Sequence, residues 1–300
     1  MKRQRWHLLL ALLVAFGLVA AACGDDDDTG VTSSGNADSS ADSSAAGPSD
    51  CSVENLPLHE AGMLTVATGE PVFEPWMVDD DPSNGQGFES ALVYALAEEL
   101  GFAPEDVTWV RTTFDGAIAP GDKDYDFNIQ QFSISEERDA VVDFSDGYYQ
   151  VEQALVAAAD SDVASAGSLA DLKGYKLGAA IATTSLDYID FAIEPDSDAA
   201  VFDDNAAAKA AFDAGSVDGL VFDLPTAYYI TAVEIPEAAI VGVLPRVGDA
   251  PEELGMLFAD GSELVPCINS ALAALRDAGT LEAIENEWLN QGGDIPTLSE

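Results

Sequence analysis

One arginine and the hydroxyls before it could form an anion site. Arg138 is one of only six arginines in the chain and falls in the first turn of a predicted helix. A cation there faces the positive end of the helix dipole, which is mildly unfavourable. Ser133 and Ser135 precede it in "QFSIS", directly after a predicted strand that ends in "NIQ". A guanidinium beside hydroxyls and the free N–H groups of a helix start can bind a carboxylate.

Two later segments repeat this arrangement of polar groups at strand ends. In "AAIATTSLDY", Thr183 and Thr184 begin a predicted helix after a strand. In "GLVFDLP", Asp223 ends a strand and Pro225 suits the first helical position. An aspartate at such a strand end can accept hydrogen bonds from an ammonium group. A carboxylate site together with an ammonium acceptor describes an α-amino acid as the ligand.

Each of these residues also has a purely structural interpretation. Arg138 alone could form a surface ion pair, Thr183 and Thr184 could be ordinary helix caps, and Asp223 could be an ordinary N-cap. Only the order and spacing of all the segments favour a shared site.

The elements that must position these residues alternate from about residue 61 onward. The predicted strands include "MLTVAT", "VTWVRT", "YDFNIQ", "VEQALVAA", "AAVFD", "DGLVFD", "AIVGVLP" and "ELGMLFA". The predicted helices include "FESALVYALAEELG", "SEERDAV", "SLADLKG", "TTSLDYIDFAI", "NAAAKAAFDAG", "LPTAYYITA", "ELVPCINSALAALRDAG" and "TLEAIENEWLNQ". Such alternation predicts an α/β fold with parallel sheets, in which ligands lie beyond the carboxyl ends of strands.

The N-terminus predicts export. Residues 1–22 combine early basic residues with the apolar run "LLLALLVAFGLVAA", which is typical of a secretory signal peptide. The ending "LVAAACG" resembles a bacterial lipobox, which implies a lipidated Cys23; a plain secretory signal cleaved nearby is the alternative. Residues 23–50 then form an acidic, Ser-rich tether that cannot order itself. No other apolar stretch is long enough to cross a membrane, so we expect an extracytoplasmic protein anchored to the cell membrane only by its N-terminal lipid.

The charge of the chain excludes one class of partner. The formal net charge is −44, with 55 acidic and 11 basic residues. Cleavage of the signal removes three bases and leaves about −47. A chain with so few cations cannot neutralise phosphates, so nucleic acid is excluded as a partner. We interpret the acidic residues as solvated surface.

The remaining cysteines and histidine limit the other sites. With Cys23 assigned to lipid, Cys51 and Cys267 are left, and an even pair in an exported chain predicts a disulfide. Free buried thiols are the alternative. His59 is the single histidine after cleavage, and the sequence has no CxxC or HxxxH spacing. We therefore expect no metal and no other cofactor.

The folded region resembles a known family over about 230 residues. The motifs that carry the resemblance are "GMLTVATGEPVFEPW", "GFESALVYALAEELGF", "FDGAIAPG", "FSISEERDAVVDFSDGYY", "LADLKGYKLGAAIATTS", "DGLVFDLPTAYYI" and "GTLEAIENEWL". They resemble the amino-acid type of bacterial extracytoplasmic solute-binding proteins, family 3, which serve ABC importers. The resemblance implies a two-lobed, periplasmic-binding-protein-like fold of type II with two hinge crossovers. Lobe 1 would comprise residues 51–150 plus 246–300, and lobe 2 residues 151–245. Ala182 stands where the family usually has glycine.

The resemblance also implies roles for the polar residues named above. Arg138 and Ser133 would hold the α-carboxylate of the ligand together with Thr183 and the backbone near Thr184. Asp223 would accept from the α-ammonium group.

Five further residues would contact the side chain of the ligand. Phe73 and Phe114 occupy positions where the family packs that side chain, although both could equally be core residues. Gln130 and Gln131 replace the small residues that are common in the family and could hydrogen-bond a polar ligand end. The role of Glu70 stays open, because "GEPVFEPW" is one residue longer than the commoner family pattern.

These observations predict a monomeric binding protein, not an enzyme. We expect it to capture a free amino acid, with polar or basic ones favoured, by hinge closure and to deliver it to an ABC import permease. An enzyme on the same fold is the first alternative; a dehydratase, for example, would need Glu70, Glu74 or Asp223 as its general acid. A ligand-sensing domain is the second alternative.

Overall fold

The computed structural model describes residues 50–289, 293 and 295–300. The predicted signal peptide 1–22, the lipidation site Cys23 and all but the last residue of the tether 23–50 lie outside the described residues. Within the described part, no helix combines the length and the apolar composition that a membrane crossing requires.

The strands of the described part are short and lie in three sheets. In chain order they are β1 (Leu64–Gly69), β2 (Val107–Thr112), β3 (Phe127–Asn128), β4 (Val142–Phe144), β5 (Tyr149–Val151), β6 (Gln153–Ala158), β7 (Leu177–Ala180), β8 (Ala200–Phe202), β9 (Gly219–Asp223), β10 (Ala238–Val243), β11 (Glu252–Leu254) and β12 (Leu257–Ala259).

The helices alternate with the strands over much of the described chain, as the sequence predicts, but no α-helix separates β4, β5 and β6 or β10, β11 and β12. They are α1 (Phe88–Leu100), α2 (Phe114–Ile118), α3 (Glu136–Asp139), α4 (Leu169–Leu172), α5 (Thr184–Tyr188), α6 (Asn205–Asp213), α7 (Leu224–Tyr229), α8 (Val265–Asp277) and α9 (Thr280–Trp288). Two local predictions are confirmed. Helix α1 ends at Leu100 and is capped by Gly101, whose φ of 94° is the left-handed conformation that glycine favours. At α4, the Ser168 hydroxyl and the Asp171 carboxylate form the predicted capping box.

The first sheet builds lobe 1 and has the order β2-β1-β3-β12-β4. Strand β1 pairs in parallel with β2 and β3, whereas β12 runs antiparallel to β3 and β4. All six residues of β1 are buried, as expected for a parallel strand covered on both faces. Its apolar side chains share one core cluster with buried residues of α1 and α8.

The second sheet builds lobe 2 and has the order β10-β6-β9-β7-β8. Strand β7 pairs in parallel with β8 and β9, whereas β6 runs antiparallel to β9 and β10. One core cluster centres on Leu155 and Val221 and another on Val156 and Phe222. Each face of this sheet is therefore covered.

Two chain segments join the lobes, which confirms the predicted fold class. The chain leaves lobe 1 through β5 and returns to it through β11, and these two strands pair with each other. The backbone N–H of Leu244 also donates to the carbonyl of Gln153 at 2.8 Å, which links the two segments next to lobe 2. The exact lobe boundaries stay a prediction.

Two predicted strands are each interrupted in the structure. The predicted strand 151–158 divides at Glu152 into β5 and β6, because the chain changes sheets there. The predicted strand 253–259 divides at Gly255 and Met256 into β11 and β12 for the same reason. A Cβ on Gly255 would lie 2.8 Å from the side chain of Ile134. The close approach of the chain at this position therefore requires glycine.

A disulfide joins the start of the described chain to helix α8. Cys51 and Cys267 are bonded, with their Cα atoms 5.5 Å apart and a sequence separation of 216 residues. Cys267 is fully buried in the lobe 1 core. A crosslink over so long a loop restricts the unfolded chain strongly.

We expect the double variant Cys51→Ser/Cys267→Ser to lose about 2–5 kcal/mol in the free energy of unfolding, because the unfolded chain regains its loop entropy. Urea unfolding of the oxidised protein and the variant measures the difference. Equal midpoints for the two proteins would contradict a stabilising role.

Candidate functional site

One cavity is lined by all ten residues that the sequence predicts as ligand contacts. Lobe 1 contributes residues that follow β1, β2 and β3, and lobe 2 contributes residues at the ends of β7 and β9. This edge of each sheet is the carboxyl end of its parallel strands, where α/β folds bind ligands. The ten residues are Glu70, Phe73, Phe114, Gln130, Gln131, Ser133, Arg138, Thr183, Thr184 and Asp223.

Arg138 is the central cation of this cavity and is only 7% exposed. Its Nη1 donates to the carbonyl of Ser133 at 2.7 Å, and its Nη2 donates across the cleft to the carbonyl of Ala182 at 2.8 Å. The guanidinium carbon lies 5.6 Å from the centroid of the Phe114 ring, within cation–π range. The side chain is thus held in a fixed direction by both lobes.

No carboxylate of the described residues forms an ion pair with Arg138. The ion pairs of this part of the chain are Arg111–Asp80, Lys173–Glu194 and Lys209–Asp213. Burial lowers the pKa of Arg138, and carboxylates at longer range oppose that shift. A buried cation without an anionic partner is unfavourable until an anion joins it. The guanidinium N–H groups of Arg138 that do not bond the two carbonyls are suited to bind a planar carboxylate.

Asp223 is an acid of the cavity wall that lobe 2 provides. It ends β9, and its Oδ1 accepts from Nε2 of Gln153 at 2.8 Å. Burial raises the pKa of Asp223 to about 7, and repulsion from the carboxylates of Glu252 and Glu89 adds to the rise. The hydrogen bond from Gln153 and the charge of Arg138 oppose it. An ammonium group placed beside Asp223 would favour its charged form.

The threonine pair lies at the start of α5, beside Arg138. The Thr183 hydroxyl donates to the carbonyl of Ala180 at 2.7 Å and accepts from the N–H of Leu186, so it acts as an N-cap. The Thr184 hydroxyl lies 3.3 Å from that of Ser133 in lobe 1. Ala182 has a φ of 60°, the left-handed conformation that explains why glycine is common at this position.

The side-chain end of the cavity is part aromatic and part polar. Phe114 stacks on Phe132 with ring centroids 4.7 Å apart, and Phe73 is half-buried in the wall. The Gln130 amide oxygen is buried and has no hydrogen-bond partner among the described residues. Glu70 is exposed at the rim. In the described part of the chain, no three acidic, histidine or cysteine side chains form a group that could hold a metal ion.

Gln131 hydrogen-bonds to Glu89, a buried acid that the sequence analysis did not identify. Its backbone N–H and its side-chain amide both donate to the carboxylate of Glu89, to which the Tyr148 hydroxyl also donates. Glu89 is fully buried, and desolvation raises its pKa to about 7 in spite of these bonds. A glutamate in the first turn of a helix is so common that its sequence position gave no signal.

Two more polar residues behind the cavity were also missed. Gln153 is 4% exposed and bonds Asp223, while Glu252 accepts from the Ser133 hydroxyl at 2.5 Å. Gln153 offered a signal, because a polar residue breaks the apolar run of its predicted strand. Glu252 offered none, since it is one of two adjacent glutamates in "PEELG".

A third missed contact joins the lobes at the cleft. The indole Nε1 of Trp76 in lobe 1 donates to the hydroxyl of Thr226 in lobe 2 at 2.8 Å, and both residues are buried. Together with the Arg138–Ala182 bond, this contact defines a closed cleft.

The model of the bacterial extracellular solute-binding proteins, family 3, matches residues 64–291 of the chain. Among curated relatives, the L-cystine-binding protein TcyJ of Escherichia coli (strain K12) is 28% identical over 241 residues, which are 79% of this chain and 86% of TcyJ. ABC transporter arginine-binding protein 1 of the same strain is 27% identical over 215 residues, covering 68% of this chain and 82% of that protein.

A solved structure extends the comparison. The ancestral amino acid-binding protein AncCDT-1, described as a precursor of cyclohexadienyl dehydratase, is 30% identical to this chain. The match covers 76% of this chain and 95% of that protein, with a TM-score of 0.63.

The raised pKa values of Glu89 and Asp223 predict the pH dependence of stability. Both groups bind a proton more tightly when folded, so their contribution is present at low pH and is lost as pH rises toward about 7. Relative to Glu89→Gln, the wild type should lose up to about 1.4 kcal/mol in the free energy of unfolding for each unit by which pH rises from the unfolded pKa of Glu89 to its folded pKa of about 7. Urea unfolding of both proteins from pH 5 to pH 8 measures how their difference in the free energy of unfolding changes with pH. The contributions of the other titratable groups cancel in that difference. A constant difference across that range would contradict the burial argument.

Proposed function

The chain belongs to the bacterial extracellular solute-binding proteins, family 3, and on this basis we propose that it captures an α-amino acid outside the cytoplasm and delivers it to an ABC import permease. The observation that carries the proposal is the buried guanidinium of Arg138, which no carboxylate of the described residues neutralises. A ligand carboxylate supplies the missing anion, and Asp223 of the opposite lobe accepts from the ligand ammonium.

The α-carboxylate and the α-ammonium group of the ligand bind to different residues. The α-carboxylate joins Arg138, the Ser133 hydroxyl and the first N–H groups of α5, which have no partner inside their own helix. The α-ammonium joins the Asp223 carboxylate. Because these groups belong to different lobes, the ligand is contacted on both sides only when the cleft is closed. Such a differential contact is the condition for a ligand to shift the open–closed equilibrium.

The side-chain end of the cavity supports a polar or basic amino acid. The buried Gln130 oxygen can accept a hydrogen bond, Glu70 adds negative charge at the rim, and Phe73 with Phe114 can enclose an aliphatic stem. The net charge of −44 repels anionic ligands at long range. Relatives named for arginine and for L-cystine support the same choice.

The remaining features of the proposal concern the location of the protein. We propose that residues 1–22 direct export, that lipidated Cys23 anchors the mature chain, and that the acidic tether holds the folded part away from the membrane as a monomer. Mass spectrometry of the membrane fraction tests the anchor: a diacylglyceryl group on Cys23 is expected, and an unmodified N-terminus would contradict it.

An enzyme on the same fold is the second candidate function. The observation in its favour is Asp223, whose pKa of about 7 suits a general acid, together with the likeness to AncCDT-1. Turnover of a cyclohexadienyl substrate, lost in Asp223→Asn, would support this candidate. Binding of amino acids without any turnover would support the transport role.

Arg138→Ala should abolish binding of all amino acids alike, because the α-carboxylate is common to them. Two hydrogen bonds to a charged group contribute about 1.5–3 kcal/mol each, so the affinity should fall at least about 100-fold. Calorimetry against the twenty amino acids and L-cystine measures it. The matched control is Arg276→Ala, which removes an arginine outside this cavity and should bind normally. Normal binding by a folded Arg138→Ala protein would refute the assignment.

Trp76→Phe should weaken binding about fivefold, because the closed cleft loses one buried hydrogen bond of about 1 kcal/mol. A double-mutant cycle with Thr226→Val isolates this contact, and small-angle scattering without ligand should show a more open protein. Additive effects of the two substitutions would mean that the contact does not contribute to closure.

A further inference from the structure

The two hinge segments each place one polar side chain directly behind the amino-acid site. Gln153 is the first residue of β6 and Glu252 is the first residue of β11. Neither lines the cavity itself. Both contact residues that do, and both line a second, largely apolar cavity beside the hinge.

The amide of Gln153 has a defined orientation. Its Oε1 accepts from the Ser185 hydroxyl at 2.6 Å, so its NH₂ group must face the opposite way. That NH₂ group donates to Oδ1 of Asp223 at 2.8 Å, across neighbouring positions of the paired strands β6 and β9. Gln153 therefore fixes the direction of the carboxylate that is to receive the ligand ammonium.

Glu252 occupies the other side of the same amide. Its carboxylate oxygens lie 3.3 and 3.5 Å from Gln153 Nε2, and its Oε1 accepts from the Ser133 hydroxyl at 2.5 Å. The backbone of Ser133 also pairs with Leu254, two residues further along β11. The second hinge segment thus holds Ser133 through both its backbone and its side chain.

Two carboxylates consequently share one amide donor at the hinge. The charged groups that act on Asp223 are the carboxylates of Glu252 and Glu89 and the guanidinium of Arg138. Asp187, on α5, and Glu252 also act on Arg138. Removing the Glu252 charge takes away repulsion of Asp223, whereas adding a carboxylate at position 153 increases it.

We infer that Gln153 and Glu252 are positioning residues of the amino-acid site. From the two hinge strands, they orient Asp223 and Ser133 and set the charge that the ligand ammonium meets. The inference rests on the proposed function, because it concerns the same site. The hinge strands would then not only connect the lobes but also affect ligand affinity and the pH range of binding.

The test is the pH profile of affinity in Glu252→Gln and Gln153→Glu. Binding of an ammonium requires ionised Asp223, so below its pKa of about 7 the wild-type affinity should fall by up to about tenfold per pH unit. Glu252→Gln retains an acceptor for Ser133 but loses the charge, so its profile should move to lower pH. Gln153→Glu replaces the donor by a third carboxylate, so its profile should move to higher pH.

Calorimetry from pH 5 to pH 8.5 measures these profiles, with whichever of L-arginine, L-glutamine or L-cystine binds the wild type best at pH 8. The same titrations in buffers of different ionisation enthalpy count the protons released on binding. The matched control is Glu253→Gln, the same change one residue along β11, where the side chain contacts Gln150 at 3.2 Å. Its profile should equal that of the wild type.

Opposite shifts in the two variants support the inference, since general damage to the fold would weaken binding equally at every pH. An unchanged profile in Glu252→Gln, or a loss that is uniform in pH, overturns it while leaving the proposed function intact. If Gln153→Glu does not fold, the pH profile of Glu252→Gln by itself tests the inference. If the wild type binds no amino acid at any pH, the proposed function fails and this inference fails with it.

Discussion

The buried charge of Arg138 is the constraint on which the cleft depends. A guanidinium removed from water needs an anion or well-placed dipoles, and here two backbone carbonyls, one from each lobe, supply the dipoles. They fix its direction without neutralising its charge. A carboxylate that enters the cleft therefore finds donors already aligned, and it does not have to displace an existing ion pair. The same guanidinium bond to Ala182 also connects the lobes, so the anion site and the closed conformation share one side chain.

The acids around Arg138 complement this arrangement. Asp223 and Glu89 are both desolvated, and burial dominates the rise of both pKa values. Glu89 is satisfied by three donors from its own lobe and supports the cavity wall through Gln131. Asp223 has Gln153 as its one donor among the described residues, which leaves its carboxylate able to receive a ligand cation. The two acids thus differ in the number of donors that the fold provides.

The hinge connects these parts because polar side chains occupy both crossing segments. In lobe 2, β6 carries Gln153 beside Asp223; in the return segment, β11 carries Glu252 beside Ser133. A change in the angle between the lobes must therefore alter the surroundings of the groups proposed to hold the ligand. Trp76 and Thr226 add a contact at the cleft itself. In the proposed function, these few hydrogen bonds couple closure of the cleft to ligand binding.

The local pattern of the sequence determined most elements of the fold, because strand alternation, helix caps and glycine stops act within a few residues. The order and spacing of its polar segments, together with the family resemblance, also brought Arg138, Ser133 and Asp223 into one predicted site. The tertiary structure alone decided where predicted strands divide, at Glu152 and Gly255, because the chain passes from one sheet to another at those points. It alone gave Glu89, Gln153, Glu252 and Trp76 their partners, which lie 32 to 150 residues away in sequence. Contacts at that distance depend on how two lobes meet, and no local pattern encodes that.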